Sequence, residues 1–453
     1  MNFNDEMNLK SRYLLMAFLL CLVASVTAQV GKWREMYKVK KKDTIFGIAK
    51  QYGLTVPELM DANPDMKKEG YELKKGDFVF IPFAKSAPAP STHITKAATP
   101  AADHTIRIGV MLPLHDVDGD GRRMVEYYRG LLMACDSLRK EGISTDVHAW
   151  NVSADADIAQ FIKEPAAAQC QIIFGPLYSS QVRVLAEFCK ARDIKLVIPF
   201  SINGDDVSRY RQIYQVWESP DMLNNSAIDA FMQRFGDAHP VFIDCNDKES
   251  KKGVFTFALR NRLSNKNIAY NITNLNSSEE MFAKSFVKGR RNVVILNTGR
   301  SPELTVALSK LASLKNNTPS LSISLFGYNE WLMYADYNME KFFRFDTYIP
   351  TNFYYNAADV KTQQLENSYR KWFRQDMQQA LPRFALTGYD HGQYFLRGFH
   401  QYGKSFAGTK KQSAYKALQS PLYFKQVGGA GMQNEFFHLI HYTNDGRIES
   451  IAY

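Results

Sequence analysis

Residues 171–201 read QIIFGPLYSSQVRVLAEFCKARDIKLVIPFS. Two short apolar runs, 171–174 and 195–198, flank a stretch at 180–191 whose apolar positions recur at helical spacing. Strand, helix and strand over this length make a βαβ unit, whose crossover sets the two strands parallel. Working outward, the same texture predicts strands at 106–112, 241–244, 293–296 and 321–326, and helices at 123–140 and 302–314. From His104 to the C-terminus the chain is too long for one simple core, so two parallel sheets in two lobes are expected. The tail differs: 436–442 and 447–452 flank Asn444-Asp445-Gly446, a turn that tolerates positive φ and predicts an antiparallel hairpin. The fold class is α/β.

Shorter zones precede this domain. Lys10 and Arg12 lead into an apolar run at 13–26, and Val26-Thr27-Ala28 offers small residues to signal peptidase. Residues 1–28 thus read as a cleaved signal peptide, with export to the periplasm or cell envelope. The run is shorter than the ~20 residues a spanning helix needs, which argues against a retained anchor. Cys21 sits inside it behind Leu20, where lipid modification wants a small residue, and Met7 is an alternative start. Residues 29–83 hold a compact, basic module. Residues 84–103, AKSAPAPSTHITKAATPAAD, lack apolar periodicity and read as an extended linker.

The composition, 45% hydrophobic and 23% charged, is that of a globular protein. The net charge of +10 is spread without a lysine–arginine block, which speaks against nucleic acid and for an acidic polymer or anionic surface. Beyond the signal, Cys135, Cys170, Cys189 and Cys245 show no CxxC or metal-ligand spacing. Cys170 and Cys189 are the nearest pair for a disulfide; buried free thiols are the favoured alternative.

In the small module, Tyr37 and Val39 alternate as a strand, and Asp43-Thr44 stand where a helix start needs side-chain caps. Ile45, Ile48 and Ala49 make one face of that helix, and Gly53 ends it. Pro57-Glu58-Leu59 opens a second helix, stopped by Asn63-Pro64. Leu73, Gly76 and residues 78–82 then give a turn and a closing strand, βααβ in all. This string, through Gly76-Asp77 and Ile81-Pro82, resembles a LysM domain, with Lys42 where the family usually has glycine. The resemblance implies a peptidoglycan-binding module whose shallow groove takes N-acetylglucosamine-containing glycan. Carried over, the groove sets Asp43, Thr44, Ile45 and Phe46 opposite Asn63, Pro64 and Asp65. Short polar groups there would bond acetamido groups while apolar side chains pack on sugar faces. Capping by Asp43 and Thr44, and core packing by Ile45, are the competing structural roles.

In the large domain, Gly175-Pro176-Leu177-Tyr178-Ser179 and Ile198-Pro199-Phe200-Ser201 follow strands at loops where open α/β folds bind ligands. With Phe326-Gly327 and Gly388-Tyr389-Asp390, they resemble the type I periplasmic binding protein fold, branched-chain amino acid receptor branch. The Gly175-Pro176-Leu177 version is also similar to the outer-membrane lipoprotein activators of penicillin-binding proteins. The receptor resemblance implies a cleft lined by Tyr178, Ser179, Ser201 and Asn203 from one lobe and Tyr328, Asn329 and Glu330 from the other. In such receptors hydroxyls and backbone N–H groups hold a carboxylate, and an acid holds the ammonium; the resemblance also puts two crossings between the lobes, near residues 217–221 and 348–352. Here Ile202-Asn203 replaces the usual Ala-Thr, and Asn329 stands at the acidic position with Glu330 beside it. Helix capping explains Ser179 and Ser201 equally well. Aromatic residues 342–355 read as core rather than a partner surface.

Asp116, Asp118 and Asp120 are spaced like a calcium loop, but the twelfth position is Tyr127 and no helix precedes them. No HExxH, GxSxG elbow, Walker loop or GxGxxG occurs at a strand–helix junction. No cofactor, metal or catalytic group is therefore expected. The reading is an exported, non-catalytic peptidoglycan-binding protein whose receptor-like domain senses a small ligand or engages a cell-envelope protein, with cell-wall synthesis as the regulated process. The alternative is a substrate-binding receptor of an ABC transporter for an amino acid or similar small solute.

Overall fold

Alternation in residues 78–82 buries Val79 and Ile81 and turns Phe78 and Phe80 outward, so one face of a small sheet is free to pack on helices. The strands are Trp33–Lys38 (β1) and Phe78–Pro82 (β2), paired antiparallel. Helices Ile45–Gln51 and Val56–Ala62 lie between them in sequence, the second followed by a 3-10 turn at Pro64–Lys67. Tyr37, Val39, Ile48, Leu59, Val79 and Ile81 form the core. The arrangement is the expected βααβ. This computed structural model describes residues 33–41, 43–54, 56–67, 71, 73–82, 105–200, 204–412 and 415–453; the expected signal segment, Lys42 and the linker 84–103 lie outside them. The chain divides into two compact units, Met1–Asp103 with Val147–Trp150 and His104–Asp146 with Asn151–Tyr453.

From His104 onward, strands whose residues are buried on both faces sit centrally in two sheets. The strands in chain order are Ile106–Leu112 (β3), Thr145–Asn151 (β4), Ile172–Phe174 (β5), Lys195–Ile198 (β6), Ile213–Gln215 (β7), His239–Asp244 (β8), Asn271–Asn274 (β9), Arg291–Leu296 (β10), Ser322–Phe326 (β11) and Thr347–Thr351 (β12). Phe424–Gln426 (β13), Met432–Asn434 (β14), His438–Tyr442 (β15) and Ile448–Ala452 (β16) complete them. The first lobe holds β13-β14-β7-β6-β5-β3-β4 and the second β16-β15-β12-β11-β10-β8-β9. β3, β5, β6, β7 and β14 pair in parallel, as do β9, β8, β10, β11 and β12. Near-continuous apolar runs such as 293–296 suit that double-sided burial. β15 and β16 form the predicted antiparallel hairpin and add it to β12.

The chain passes between lobes three times. The first crossing, after β7, ends where Ser219 caps the helix Pro220–Arg234. The second follows β12 and leads to the helix Val360–Phe373. A third joins β14 to β15, unforeseen in the sequence. It lies against the first: Asn434 Nδ2 donates to the Val216 carbonyl at 3.2 Å and Gln433 Nε2 to the Trp217 carbonyl at 3.3 Å.

Two glycines let the first lobe's long helices meet at backbone distance. In the helix Gly119–Lys140, a Cβ on Gly130 would lie 1.8 Å from the Ala385 carbonyl oxygen; in the helix Phe384–Tyr402, one on Gly388 would lie 1.9 Å from that of Tyr127. Phe342, Phe345, Tyr348 and Phe353 are buried in the second lobe, so the aromatic cluster is core. All four described cysteines are free and buried. Among the described residues no helix is long and apolar enough to cross a membrane.

Candidate functional site

In the small unit, Asp43 and Thr44 build the turn into the first helix. The Asp43 carboxylate accepts from the Tyr37 hydroxyl at 2.8 Å and the Lys40 N–H at 2.7 Å. Thr44 is the N-cap, its Oγ1 accepting from the Gly47 N–H at 3.0 Å. Ile45 is partly buried against the core, and the Phe46 side chain lies outside the described residues. Asn63 ends the second helix and spends its amide on backbone. Its Nδ2 donates to the Leu59 and Phe80 carbonyls at 2.8 and 2.7 Å, and its Oδ1 accepts from the Phe80 N–H at 2.7 Å. Pro64 and Asp65 follow, both exposed. The direct result is a fixed turn at each end of the predicted groove, in which Thr44 and Asn63 hold backbone. Phe78 and Phe80 are exposed aromatics that the sequence reading placed only as strand; their alternation with Val79 and Ile81 was the available signal.

In the first lobe, Asp118 caps the helix Gly119–Lys140, accepting from the Gly121 N–H at 2.7 Å, and Asp120 pairs with Arg123. These are the acids of the calcium-like spacing, and helix chemistry employs two of the three. The hydroxyl of Tyr178 reaches Asp120 at 3.3 Å. Tyr178 occupies the N-cap of the helix Ser179–Arg192 without a side-chain cap bond, so Ser179 is the first helical residue, not the cap. Ser201 and Asn203 lie outside the described residues.

The second-lobe residues lie after β11, and there the structure gives two of them other work. Tyr328 is buried, its hydroxyl donating to the Leu296 carbonyl at 2.5 Å; burial raises its pKa well above the ordinary range. It is a core residue. Asn329 and Glu330 begin the 3-10 turn Asn329–Tyr334. Glu330 Oε1 is paired with Lys252 Nζ at 2.6 Å, and that ammonium also sits 4.7 Å from the Tyr328 ring centroid. Its other oxygen, Oε2, packs beside Gly299, where a Cβ would come within 3.4 Å. Next to this pair, Asp247 accepts from the Thr298 hydroxyl at 2.7 Å and from Arg300 at 3.2 Å. Glu330 and Asp247 thus each meet a resident cation, while Glu330 Oε2 is buried without a hydrogen-bond partner among the described residues. Lys252 and Arg300 were missed in the sequence because each comes from a different strand–helix loop, after β8 and β10.

Two folded classes account for the chain. Residues 37–82 match the LysM domain family, and this stretch of the small unit is a LysM domain. The large unit has the fold of periplasmic binding proteins of the branched-chain amino acid type. Among solved structures it is similar to a putative branched-chain amino acid ABC transporter from Rhodospirillum rubrum, at 13% identity and TM-score 0.53, over 77% of this chain and 100% of that one. It is also similar to the LpoA C-domain from Haemophilus influenzae, a regulator of PBP1A, at 14% identity and TM-score 0.47, over 76% and 99%. An ABC transporter substrate-binding protein from Desulfitobacterium hafniense aligns at 16% identity and TM-score 0.44, over 77% and 100%. A comparison with curated proteins finds no match.

Proposed function

We propose that this chain is an exported, non-catalytic protein of the cell envelope that grips peptidoglycan through its LysM domain and presents the two-lobed unit to an envelope protein. The LysM match at residues 37–82 supports wall binding. The observation that carries the second half is the ion pair between Lys252 and Glu330 at 2.6 Å. An amino acid receptor needs an acid free to meet the ligand's ammonium. Here the acid at that edge already faces an ammonium of its own chain, and a second cation there meets repulsion or must displace the first. A chain held to the wall is also ill suited to delivering solute by diffusion.

The reading is tested by thermal denaturation of the purified chain with a panel of amino acids. No saturable rise in Tm is expected, because a ligand binding only the native state stabilises by mass action. A saturable rise with any amino acid would restore the transport-receptor reading.

A further inference from the structure

On the flank of the first lobe, the helices Gly119–Lys140, Val360–Phe373 and Phe384–Tyr402 border an open groove of about 1000 Å3. Neither the glycan-binding turns nor the inter-lobe edge uses it. Lys361, Leu365, Ser368 and Trp372 line it from one face of the middle helix, as their spacing requires. Its floor is Gln393, which is 1% exposed. Arg397 Nε donates to Gln393 Oε1 at 2.8 Å, which fixes the amide's orientation. Gln393 Nε2 is then left without an acceptor among the described residues. A buried donor in that state is costly and directs an acceptor to that spot.

The charges point the same way. The two acids of the lining are already taken: Asp136 meets Lys140 at 2.8 Å, and Glu141 accepts from both terminal nitrogens of Arg397 at 2.7 and 2.6 Å. Lys361 and Lys416, both exposed on the rim, form no ion pair within 4.0 Å among the described residues, although Lys361 lies near enough to Asp359 to help lower that carboxyl's pKa. The lining therefore sets Lys140, Lys361, Arg397 and Lys416 against Asp136 and Glu141, an excess of two positive charges. Half-buried Trp372 and Tyr389 add ring faces for apolar contact.

We propose that this groove docks an acidic peptide segment carrying apolar side chains, supplied by an envelope protein. Its carboxylates would meet Lys361 and Lys416, a backbone carbonyl or carboxylate would accept from Gln393 Nε2, and an apolar side chain would lie on Trp372. The groove is open and sits at the upper end of the roughly 300–1,000 Å3 that encloses small ligands, so an extended segment fits it better than a molecule needing enclosure. The inference deepens the envelope-protein reading and rests on it for the ligand being part of a protein.

The test titrates the full chain into a fluorescein-labelled synthetic peptide of alternating glutamate and leucine with one tryptophan, read by fluorescence anisotropy. A matched peptide with glutamine for glutamate serves as the neutral probe. The acidic peptide is expected to bind saturably, and the neutral one about tenfold or more weaker. The double variant Lys361→Glu/Lys416→Glu, at exposed positions, is expected to keep its Tm and lose affinity for the acidic peptide by about tenfold or more. Gln393→Leu is expected to weaken binding with the same peptide. No binding, equal binding of the two peptides, or indifference to the charge reversal overturns the proposal. The amino-acid Tm panel is run on the same preparation: no saturable rise together with no peptide binding sinks the groove alone, whereas a saturable rise sinks the envelope-protein reading on which it rests.

Discussion

Asn63 shows how one side chain can hold a small domain together. Its amide joins the end of the second LysM helix to both backbone groups of Phe80, so the strand edge and the helix end share one residue. Asn63→Ala leaves those groups unpaired and is expected to destabilise the small unit by about 1–3 kcal/mol. Hydrogen exchange is the measurement: amide protection in β2 should fall while β10 in the large unit keeps its own. Unchanged protection in β2 would show that water replaces the amide without loss. The sequence marked Asn63-Pro64 as the stop of the second helix, which ends at Ala62, but could not reveal Asn63's partner, because Phe80 lies 17 positions away across the closing strand. Glu330 is a similar case. Its acid character was legible, but its neutralisation by Lys252 depends on two loops brought together only by the parallel order of β8, β10 and β11. The receptor resemblance put Tyr328 at the cleft, and in the fold its hydroxyl turns inward to the Leu296 carbonyl.

Among the elements, those with strong periodicity were legible almost residue by residue. The strand predicted at 106–112 and the one at 195–198 occur with those bounds, and the helix predicted at 123–140 begins four residues earlier because Asp118 supplies its cap. The third crossing was not legible. β14 is only Met432, Gln433 and Asn434, with no apolar run, and it is a strand because β7 and β13 flank it. The Gly130–Gly388 crossing was likewise hidden, since neither glycine signals its partner. Gly130→Ala puts a Cβ 1.8 Å from the Ala385 oxygen, and both helices must part. A loss of about 1–3 kcal/mol is expected, seen as a lower urea midpoint for the large unit. Gly388→Ala should cost a similar amount, and the double variant less than the sum, because one displacement relieves both contacts. Additive losses would mean that the two contacts are independent.

Across the whole large unit, the crossings are where stability and pH meet. Glu218, 3% exposed in the first crossing, has its pKa pushed up to about 8, chiefly by burial and further by Glu435 in the third crossing. Lys425 pairs with Glu435 at 2.5 Å, and among the described residues no cation is paired with Glu218. The folded chain therefore keeps the Glu218 proton above the ordinary pKa of 4.5 at which the unfolded chain releases it. Stability from this group is complete below that value, falls as pH rises, and levels off above about 8, a change on the order of a few kcal/mol. Glu218→Gln should flatten that decline in urea unfolding measured across the window; an unchanged pH slope would show that Glu218 ionises freely. The account as a whole rests on a LysM domain that holds the wall. Co-sedimentation of the purified chain with peptidoglycan sacculi tests it most directly. The chain should pellet with the sacculi and be released by soluble N-acetylglucosamine oligomers, whereas a chain that stays in the supernatant, or pellets regardless of competitor, contradicts it.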